Sequence, residues 1–274
     1  MPTGPFTDIA LVKASLYATA ARLAARTGAL HAAKITGEDA TTTIVDLAAR
    51  SAPHTPVVCD VGCGRGTTTL ALAGRLTPAR LIALDQSRAL LDVVVSRLRR
   101  AGHPADTVLA DFHNLPLQEA SVDVFVAAFC LYHSPRPDDV IAEIARCIAP
   151  GGRAVLVTKS VDSYHEIDHL VAATGLDPEA ARRPSLYSSF HGDNAADITS
   201  NTALRVHRVV HQKHVFRFSG LDHLAAYVAT SPKYHLPEHL IGRAAALAEE
   251  LLRRLPDEPV IATSTVTYIT AARP

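Results

Sequence analysis

The sequence predicts an α/β fold built on a mostly parallel sheet. Short runs rich in Val, Ile, Leu and Phe are typical of strands buried on both faces. Between them lie segments with the apolar spacing of amphipathic helices, and this alternation favours right-handed crossovers between parallel strands. We expect strands at 56–61, 80–85, 106–110, 122–129, 153–159, 209–218 and 260–271, with helices at 67–76, 89–100 and 138–148.

Two segments lie outside this alternation. Ala-rich stretches at 9–31 and 38–50, separated by Gly37, predict an N-terminal helical cap over residues 1–50. A long connection after the fifth strand contains an amphipathic helix at 165–174. We therefore expect a domain at 51–274 with a helical lid insertion at about 160–205, the alternative being an insertion that only packs on the surface.

The composition argues against several classes of protein. The 274 residues carry 27 Lys+Arg and 27 Asp+Glu, so no general polybasic surface for nucleic acid or membrane is expected. The longest apolar run, 124–132, is far shorter than the ~20 residues that span a bilayer. With four irregularly spaced cysteines and no basic leader, we expect a soluble, reducing, cytoplasmic protein.

A glycine-rich loop joins the first expected strand to the next helix. Gly62, Gly64 and Gly66 permit a tight turn and a close approach of the backbone to a ligand. The helix N-terminus that follows offers N–H groups to a carboxylate or another anion. Asp60 immediately precedes the loop, where it would repel a pyrophosphate but suit an ammonium group. The loop therefore favours an amino-acid moiety.

The second expected strand ends at Asp85, 21 residues after Gly64. A carboxylate in this position can accept both ribose hydroxyls of a nucleoside. The dinucleotide fingerprint needs its third glycine one place later than Gly66, so the spacing disfavours a dinucleotide. Together with the loop, Asp85 predicts a ligand with adenosine at one end and an amino acid at the other.

These segments together resemble the class I S-adenosylmethionine-dependent methyltransferases, in particular their small-molecule members. The resemblance implies a Rossmann-like three-layer sandwich on a seven-stranded sheet, whose last strand is antiparallel and lies beside the fifth. It also implies S-adenosyl-L-methionine as the cofactor. The matching segments are, in order, 60–66, Asp85, 110–112, 123–133 and 141–152.

The resemblance assigns the parts of the cofactor to separate segments. Asp60 and the loop backbone would hold the methionine part, and Asp85 would accept the ribose hydroxyls. Asp111 would approach the adenine amino group, and Phe129 would border the methionine part through its backbone. The expected cofactor-binding residues are Asp60, Gly62, Cys63, Gly64, Asp85, Gln86, Asp111, Phe112 and Phe129.

Methyl transfer from a sulfonium requires an acceptor held in line with the breaking bond, and it often requires a general base. His133 is the first candidate base because it follows the fourth strand, although it could instead support the fold or the cofactor. Tyr132 could orient the acceptor or pack against the sheet. We expect His133, Tyr132 and His191 to be catalytic and Tyr17, Tyr187 and His191 to contact substrate, the alternatives being packing for Tyr17 and an exposed turn for His191.

Metal binding and thiol chemistry are not expected. His207, His211 and His214 are close in sequence, but on a strand His214 would point away from the other two. No acid or cysteine cluster completes a tetrahedral site. The cysteines near the glycine loop resemble small buried apolar residues more than nucleophiles.

We expect S-adenosylmethionine-dependent methyl transfer to a small-molecule acceptor, of the kind found in natural-product biosynthesis, by a monomer or homodimer. One alternative is an enzyme of this fold that binds the same cofactor but does other chemistry, such as a cyclase. Others are an RNA or protein methyltransferase and a non-enzymatic binding module. Residues 127–130 lack the Asn/Asp-Pro-Pro-aromatic motif of base-amine methyltransferases, which favours a small acceptor.

Overall fold

The computed structural model describes Thr7, residues 20–50 and residues 52–274. Within these residues, eight strands form one mixed sheet in the order β1-β7-β8-β6-β5-β2-β3-β4. The strands are β1 (Lys34–Thr36), β2 (Val57–Val61), β3 (Arg80–Asp85), β4 (Asp106–Leu109), β5 (Val122–Ala128), β6 (Ile148–Lys159), β7 (Arg205–Phe218) and β8 (Val260–Ala272).

Helices connect most of these strands. Asp39 caps the second helix by accepting a hydrogen bond from the backbone N–H of Thr42 at 2.8 Å, and Pro137 occupies the first turn of the fifth. The helices are α1 (Ala20–Ala33), α2 (Ala40–Ala49), α3 (Thr67–Leu76), α4 (Arg88–Arg100), α5 (Pro137–Cys147), α6 (His165–Ala173), α7 (Ala195–Ser200), α8 (Leu221–Val228) and α9 (Ala244–Leu252), with 3₁₀ turns at Leu131–His133 and Glu238–Leu240.

The strand pairing confirms the expected α/β fold. Strand β2 pairs in parallel with β3 and β5, β3 pairs in parallel with β4, and β5 pairs in parallel with β6. Strand β8 is antiparallel to β6, the fifth of the expected strands, and lies between β6 and β7. Because the parallel strands end at one edge, the residues that follow β2, β3 and β5 come together there.

In the part of the chain that the structure describes, the sheet has eight strands where seven were expected. The additional strand, β1, has only three residues and is largely exposed, so it lacks the apolar run that marks the other strands. Strand β6 begins at Ile148, ahead of the expected start at 153, because it continues through Gly151 and Gly152. The insertion contains α7 in addition to the expected helix, and the expected helix at 9–31 is described only from Ala20.

The chain forms two compact units, each assembled from three separate stretches. The first unit contains the described residues up to Gly37 and residues 160–188 and 212–265. The second unit contains residues 38–159, 189–211 and 266–274. This division differs from the expected boundary between a cap at 1–50 and a domain at 51–274. Residues 38–50 belong to the second unit, and residues 212–265 belong to the first.

The second unit has an apolar core. The buried face of α2, which includes Ile44 and Leu47, belongs to the same cluster as Val124 and Val126 of β5. The N–H of Val57, at the start of β2, donates to the Asp123 carboxylate of β5 at 2.8 Å. These contacts hold the central parallel strands in the register that places their C-terminal ends together.

The first unit buries several charged side chains. Lys233 forms a buried ion pair with Asp168, which also accepts a hydrogen bond from the Tyr234 hydroxyl at 2.9 Å. Arg183 pairs with Asp177, whose side chain is 3% exposed. The Arg26 guanidinium lies 4.8 Å from the centre of the Tyr227 ring. Burial raises the pKa of the Tyr227 hydroxyl, so this phenol stays protonated.

We expect the Arg183→Ala substitution to lower the free energy of unfolding by about 3 kcal/mol, because it leaves the buried Asp177 carboxylate without its ion-pair partner. The adjacent Arg182 pairs with Glu179 on the surface, so Arg182→Ala should cost about 1 kcal/mol or less. Urea unfolding followed by circular dichroism measures both variants. Equal losses of stability would contradict a structural role for the buried pair.

Candidate cofactor and reaction site

The loop after β2 adopts the tight turn that its glycines permit. Gly62, Gly64 and Gly66 have φ angles of 65°, 56° and 73°, a left-handed conformation that favours glycine. The N–H of Cys63 donates to the Leu84 carbonyl of β3 at 3.0 Å, and α3 begins directly after Gly66. The loop therefore presents backbone groups at the C-terminal ends of β2 and β3.

The first glycine of the loop packs against the end of β5. A Cβ atom at Gly62 would lie 2.6 Å from the Cβ of Cys130, which is closer than two carbon atoms that are not bonded to each other can approach. The Cys130 thiol donates to the Val61 carbonyl at 3.3 Å. The glycine loop and the segment after β5 are therefore in direct contact.

Asp60 places a carboxyl group beneath the loop. The side chain is 1% exposed and accepts a hydrogen bond from the Thr69 hydroxyl at 2.6 Å. Burial raises the pKa of Asp60 to about 7, the Asp85 charge adds to the shift, and the Thr69 hydrogen bond opposes it. A cation beside this carboxyl would favour its ionised form, as expected if it holds the ammonium group of an amino acid.

Asp85 joins the end of β3 to the glycine loop. One carboxylate oxygen accepts from the Gly64 N–H at 2.9 Å, and the other accepts from the Ser87 N–H at 2.9 Å. Burial raises the pKa of Asp85, and these hydrogen bonds oppose the shift. Because each oxygen can accept a second hydrogen bond, the carboxylate fits two ribose hydroxyls. Gln86 follows as an exposed residue.

The segment after β4 carries Asp111, Phe112 and a histidine that the sequence analysis did not select. Asp111 accepts hydrogen bonds from the backbone N–H and the ring Nδ1 of His113, at 2.9 and 2.7 Å. The Phe112 and His113 rings meet edge to face, with their centroids 4.8 Å apart. A histidine two residues after a candidate adenine-binding acid is the signal that could have identified His113.

Phe129 has an unusual backbone conformation at the end of β5. Its φ angle is 58°, which is strained for a bulky residue, and its N–H donates to the Val157 carbonyl of β6 at 2.9 Å. The Lys159 ammonium lies 5.6 Å from the centre of the Phe129 ring. Strained residues of this kind occur preferentially at functional sites, which is consistent with the predicted position of Phe129 beside the cofactor.

Tyr132 and His133 lie in the 3₁₀ turn that follows Phe129 and Cys130. Their ring centroids are 4.8 Å apart, with Tyr132 buried and His133 half-buried. The Ser189 hydroxyl donates to the Tyr132 carbonyl at 3.0 Å. This hydrogen bond joins the turn after β5 to the segment that contains His191.

His191 lies next to the end of β6. The Phe190 carbonyl accepts from the Thr158 hydroxyl at 2.6 Å, and the Gly192 N–H donates to the Lys159 carbonyl at 3.1 Å. The His191 side chain is 18% exposed, and its Nδ1 accepts from the Asp193 N–H at 3.3 Å. The Asp193 carboxylate lies 3.3 Å from the same nitrogen, so both contacts between His191 and Asp193 are made through Nδ1.

The remaining expected substrate residues are Tyr187 and Tyr17. Tyr187 lies in the first unit, where it is 3% exposed and lines a small cavity together with Tyr227, Lys233 and Tyr234. Tyr17 lies outside the described residues.

The described residues contain no group of three or more side chains placed to hold a metal ion. His207 and His211 are exposed on β7, whereas His214 is buried against Gly37. Cys59, Cys63, Cys130 and Cys147 are buried free thiols, and burial raises their pKa values, so these cysteines lack the character of nucleophiles. In the part of the chain described, each helix is too short or too polar to cross a membrane.

Comparison with known proteins identifies the class to which this site belongs. Residues 59–156 match the family described as the methyltransferase domain. A malonyl-(acyl-carrier protein) O-methyltransferase from Marinomonas sp. (strain MWYL1) is 38% identical over 111 residues, covering 40% of this chain and 41% of the relative. The chain spans less than half the length of the first curated relatives that it matches.

Solved structures share the fold over most of the chain. Geranyl diphosphate C-methyltransferase from Streptomyces coelicolor A3(2), in complex with S-adenosyl-L-homocysteine, has a TM-score of 0.52 at 16% identity and covers 85% of this chain and 78% of its own. The (4+2)-cyclase SpnF has a TM-score of 0.58 at 17% identity and covers 91% and 93%.

These likenesses confirm the family and cofactor implied by the motifs. Residues 59–156 form a class I S-adenosylmethionine-dependent methyltransferase domain, whose cofactor is S-adenosyl-L-methionine. The glycine loop, the buried acid beneath it and the acid at the end of β3 fit the amino-acid and ribose parts of that molecule.

We expect Gly62→Ala to reduce binding of S-adenosylmethionine strongly, because the added Cβ would overlap Cys130 and displace the loop. Gly102→Ala is the matched control, since Gly102 has a φ of 72° but nothing within 4 Å of a new Cβ. In both variants, alanine at a positive φ costs roughly 1 kcal/mol of folding stability. Calorimetric titration measures affinity, and equal affinities for the two variants would contradict the steric argument.

We expect the affinity for S-adenosylmethionine to fall as the pH falls below about 7, approaching tenfold per pH unit, because the ammonium group requires ionised Asp60. The same raised pKa means that the folded protein without cofactor holds this proton more tightly than the unfolded chain does. Its stability should therefore fall as the pH rises from about 4 to 7.

Asp60→Asn is the control for this pH dependence. The variant should bind more weakly than the wild type at pH 8, and its affinity should lack the dependence that Asp60 causes. Both proteins are titrated between pH 5.5 and 8.5. Any ionisation of the ligand affects both profiles equally, so the difference between them reports the ionisation of Asp60. Parallel profiles for wild type and variant would refute the role of Asp60.

We expect Asp85→Ala to weaken cofactor binding by about 1–3 kcal/mol through the loss of charge-assisted hydrogen bonds. Asp106→Ala removes a carboxylate that pairs with Arg80 on the surface of β4, and it should bind the cofactor normally. If the two variants bind equally well, the ribose assignment of Asp85 is wrong.

Proposed function

We propose that this chain transfers the methyl group of S-adenosylmethionine to a small-molecule acceptor. The observation that carries the proposal is the hydrogen bond between Gly64 and Asp85, which joins the loop expected to hold methionine to the acid expected to hold ribose. A cofactor held at both ends has its sulfonium in a fixed place. In-line displacement needs this kind of positioning, with an acceptor atom about 3–3.5 Å from the methyl carbon.

The cofactor supplies an activated methyl group when bound, and the residues after β5 and β6 would position and deprotonate the acceptor. We assign general base catalysis to His133, whose turn follows the strained Phe129 and contacts the glycine loop through Cys130. Tyr132 orients the acceptor beside it. We assign His191 to holding an acceptor oxygen rather than to acting as a base, because its Nδ1 is already engaged by Asp193.

A small acceptor is favoured over a macromolecule by the charge balance. The sequence has a formal net charge of zero, whereas a nucleic-acid enzyme generally presents a basic surface at its site. The name of the Marinomonas relative assigns its action to a malonyl group, which is a small acceptor carried on a protein. We further propose a cytoplasmic enzyme of secondary metabolism, and four buried free thiols are consistent with a reducing compartment.

Incubation of the purified protein with methyl-labelled S-adenosylmethionine and a set of small acids, phenols and amines tests the proposal. The expected result is formation of S-adenosylhomocysteine together with a product heavier by one CH₂ group. Conversion of a substrate without S-adenosylhomocysteine would favour non-methyl chemistry, such as cyclisation. Failure to bind the cofactor would overturn the proposal entirely.

We expect His133→Ala to lower kcat by about 10²–10⁴-fold and to leave cofactor affinity within about twofold, because a general base acts mainly in the chemical step. His191→Ala should instead raise KM for the acceptor. His54 is exposed and precedes β2, so His54→Ala is the surface control. A His133→Ala variant that loses cofactor binding but keeps kcat would make His133 a cofactor-supporting residue.

A further inference from the structure

Three hydrogen-bonded side chains, Asp111, His113 and Ser134, lie in the segments that follow β4 and β5. The Asp111 carboxylate lies 2.7 Å from Nδ1 of His113, and Nε2 of His113 lies 2.7 Å from the Ser134 hydroxyl. Both distances are short for hydrogen bonds to nitrogen, which indicates strong contacts. These two hydrogen bonds join the segment after β4 to the segment after β5.

The chemistry of the three groups fixes the direction of these hydrogen bonds. A carboxylate only accepts, so Nδ1 of His113 donates to Asp111. In the neutral ring Nε2 then accepts, and the Ser134 hydroxyl donates to it. The Ser134 oxygen also accepts from the N–H of Arg136 at 2.9 Å, so its hydrogen-bonding direction is set from both sides.

Ser134 is placed to influence the 3₁₀ turn that contains Tyr132 and His133. It directly follows the 3₁₀ turn containing Tyr132 and His133, and its N–H donates to the Leu131 carbonyl at 3.0 Å. Its side chain is fully buried, so the hydroxyl has no access to a substrate and does not act as a nucleophile. A displacement of Ser134 would instead be transmitted to the neighbouring His133.

We propose that His113 is a positioning residue that couples the adenine end of the cofactor site to the turn carrying Tyr132 and His133. The proposal rests on the proposed function, because it takes Asp111 as the adenine-side acid and His133 as the reaction-side residue. Binding of adenosine at Asp111 would then favour one arrangement of the His113 ring, and Ser134 would carry that arrangement to the turn.

Two conservative substitutions separate the two hydrogen bonds of His113. His113→Asn places an amide near the position of Nδ1 and can keep the contact with Asp111, whereas His113→Gln reaches the position of Nε2 and can keep the contact with Ser134. Calorimetry with S-adenosylhomocysteine, adenosine and methionine measures the effects. We expect each variant to bind the two adenosine-containing ligands about five- to tenfold more weakly, the effect of one hydrogen bond, with methionine unaffected.

Ser134→Ala gives the sharper test, because Ser134 cannot reach the ligand. We expect a similar loss of adenosine affinity from Ser134→Ala alone, and almost no further loss when it is added to His113→Asn, which already lacks that contact. Ser121→Ala is the matched control, since its hydroxyl contacts only the Gln118 carbonyl before β5 among the described residues, and it should bind normally.

A spectroscopic readout of the unaltered protein does not depend on the variants folding. Histidine-labelled protein should show His113 with its proton on Nδ1, and adenosine should shift its ring-nitrogen resonances while methionine should not. Unchanged His113 resonances on adenosine binding, or normal affinity of Ser134→Ala, would overturn the coupling alone. A wild-type protein that binds no S-adenosylhomocysteine would overturn the proposed function as well.

Discussion

The hydrogen bond from the Gly64 N–H to the Asp85 carboxylate organises the candidate site, because it fastens the loop after β2 to the end of β3. A backbone donor and a buried acid hold each other in place before any ligand arrives. The loop can approach Asp85 because Gly62 and Gly64 adopt positive φ angles without strain. The parallel pairing of β2 and β3 brings the two partners to the same edge.

The neighbouring strands extend this arrangement toward Tyr132 and His133, the residues proposed for the chemistry. Gly62 contacts Cys130, Phe129 donates to β6, and the Ser189 hydroxyl holds the Tyr132 carbonyl. Each contact is made where a strand ends, and residues distant in sequence therefore become neighbours within the second unit. The candidate cofactor residues and the residues proposed for the chemistry therefore share one framework of packing contacts and hydrogen bonds.

The sequence was sufficient to predict the central strands, the glycine loop and Asp85, because buried strands and left-handed glycines leave strong local patterns. It did not reveal β1, whose three residues are largely exposed, or the grouping of residues 212–265 with the first unit, which depends on long-range contacts. His113 was missed because its second partner, Ser134, is 21 residues away in sequence and is brought to it by the fold, although its spacing from Asp111 was a local signal. The left-handed Phe129 has no sequence signature either.

The division of the chain into interleaved stretches has a consequence for its biogenesis. Each unit takes its residues from three stretches, and β7 and β8 each contribute to both. Strand β8 lies between β6 and β7, so a nascent chain still lacking residues 260–272 cannot complete the sheet. Neither unit can be released by a single proteolytic cut or expressed as one continuous fragment. During translation, neither unit can be completed until β8 has left the ribosome.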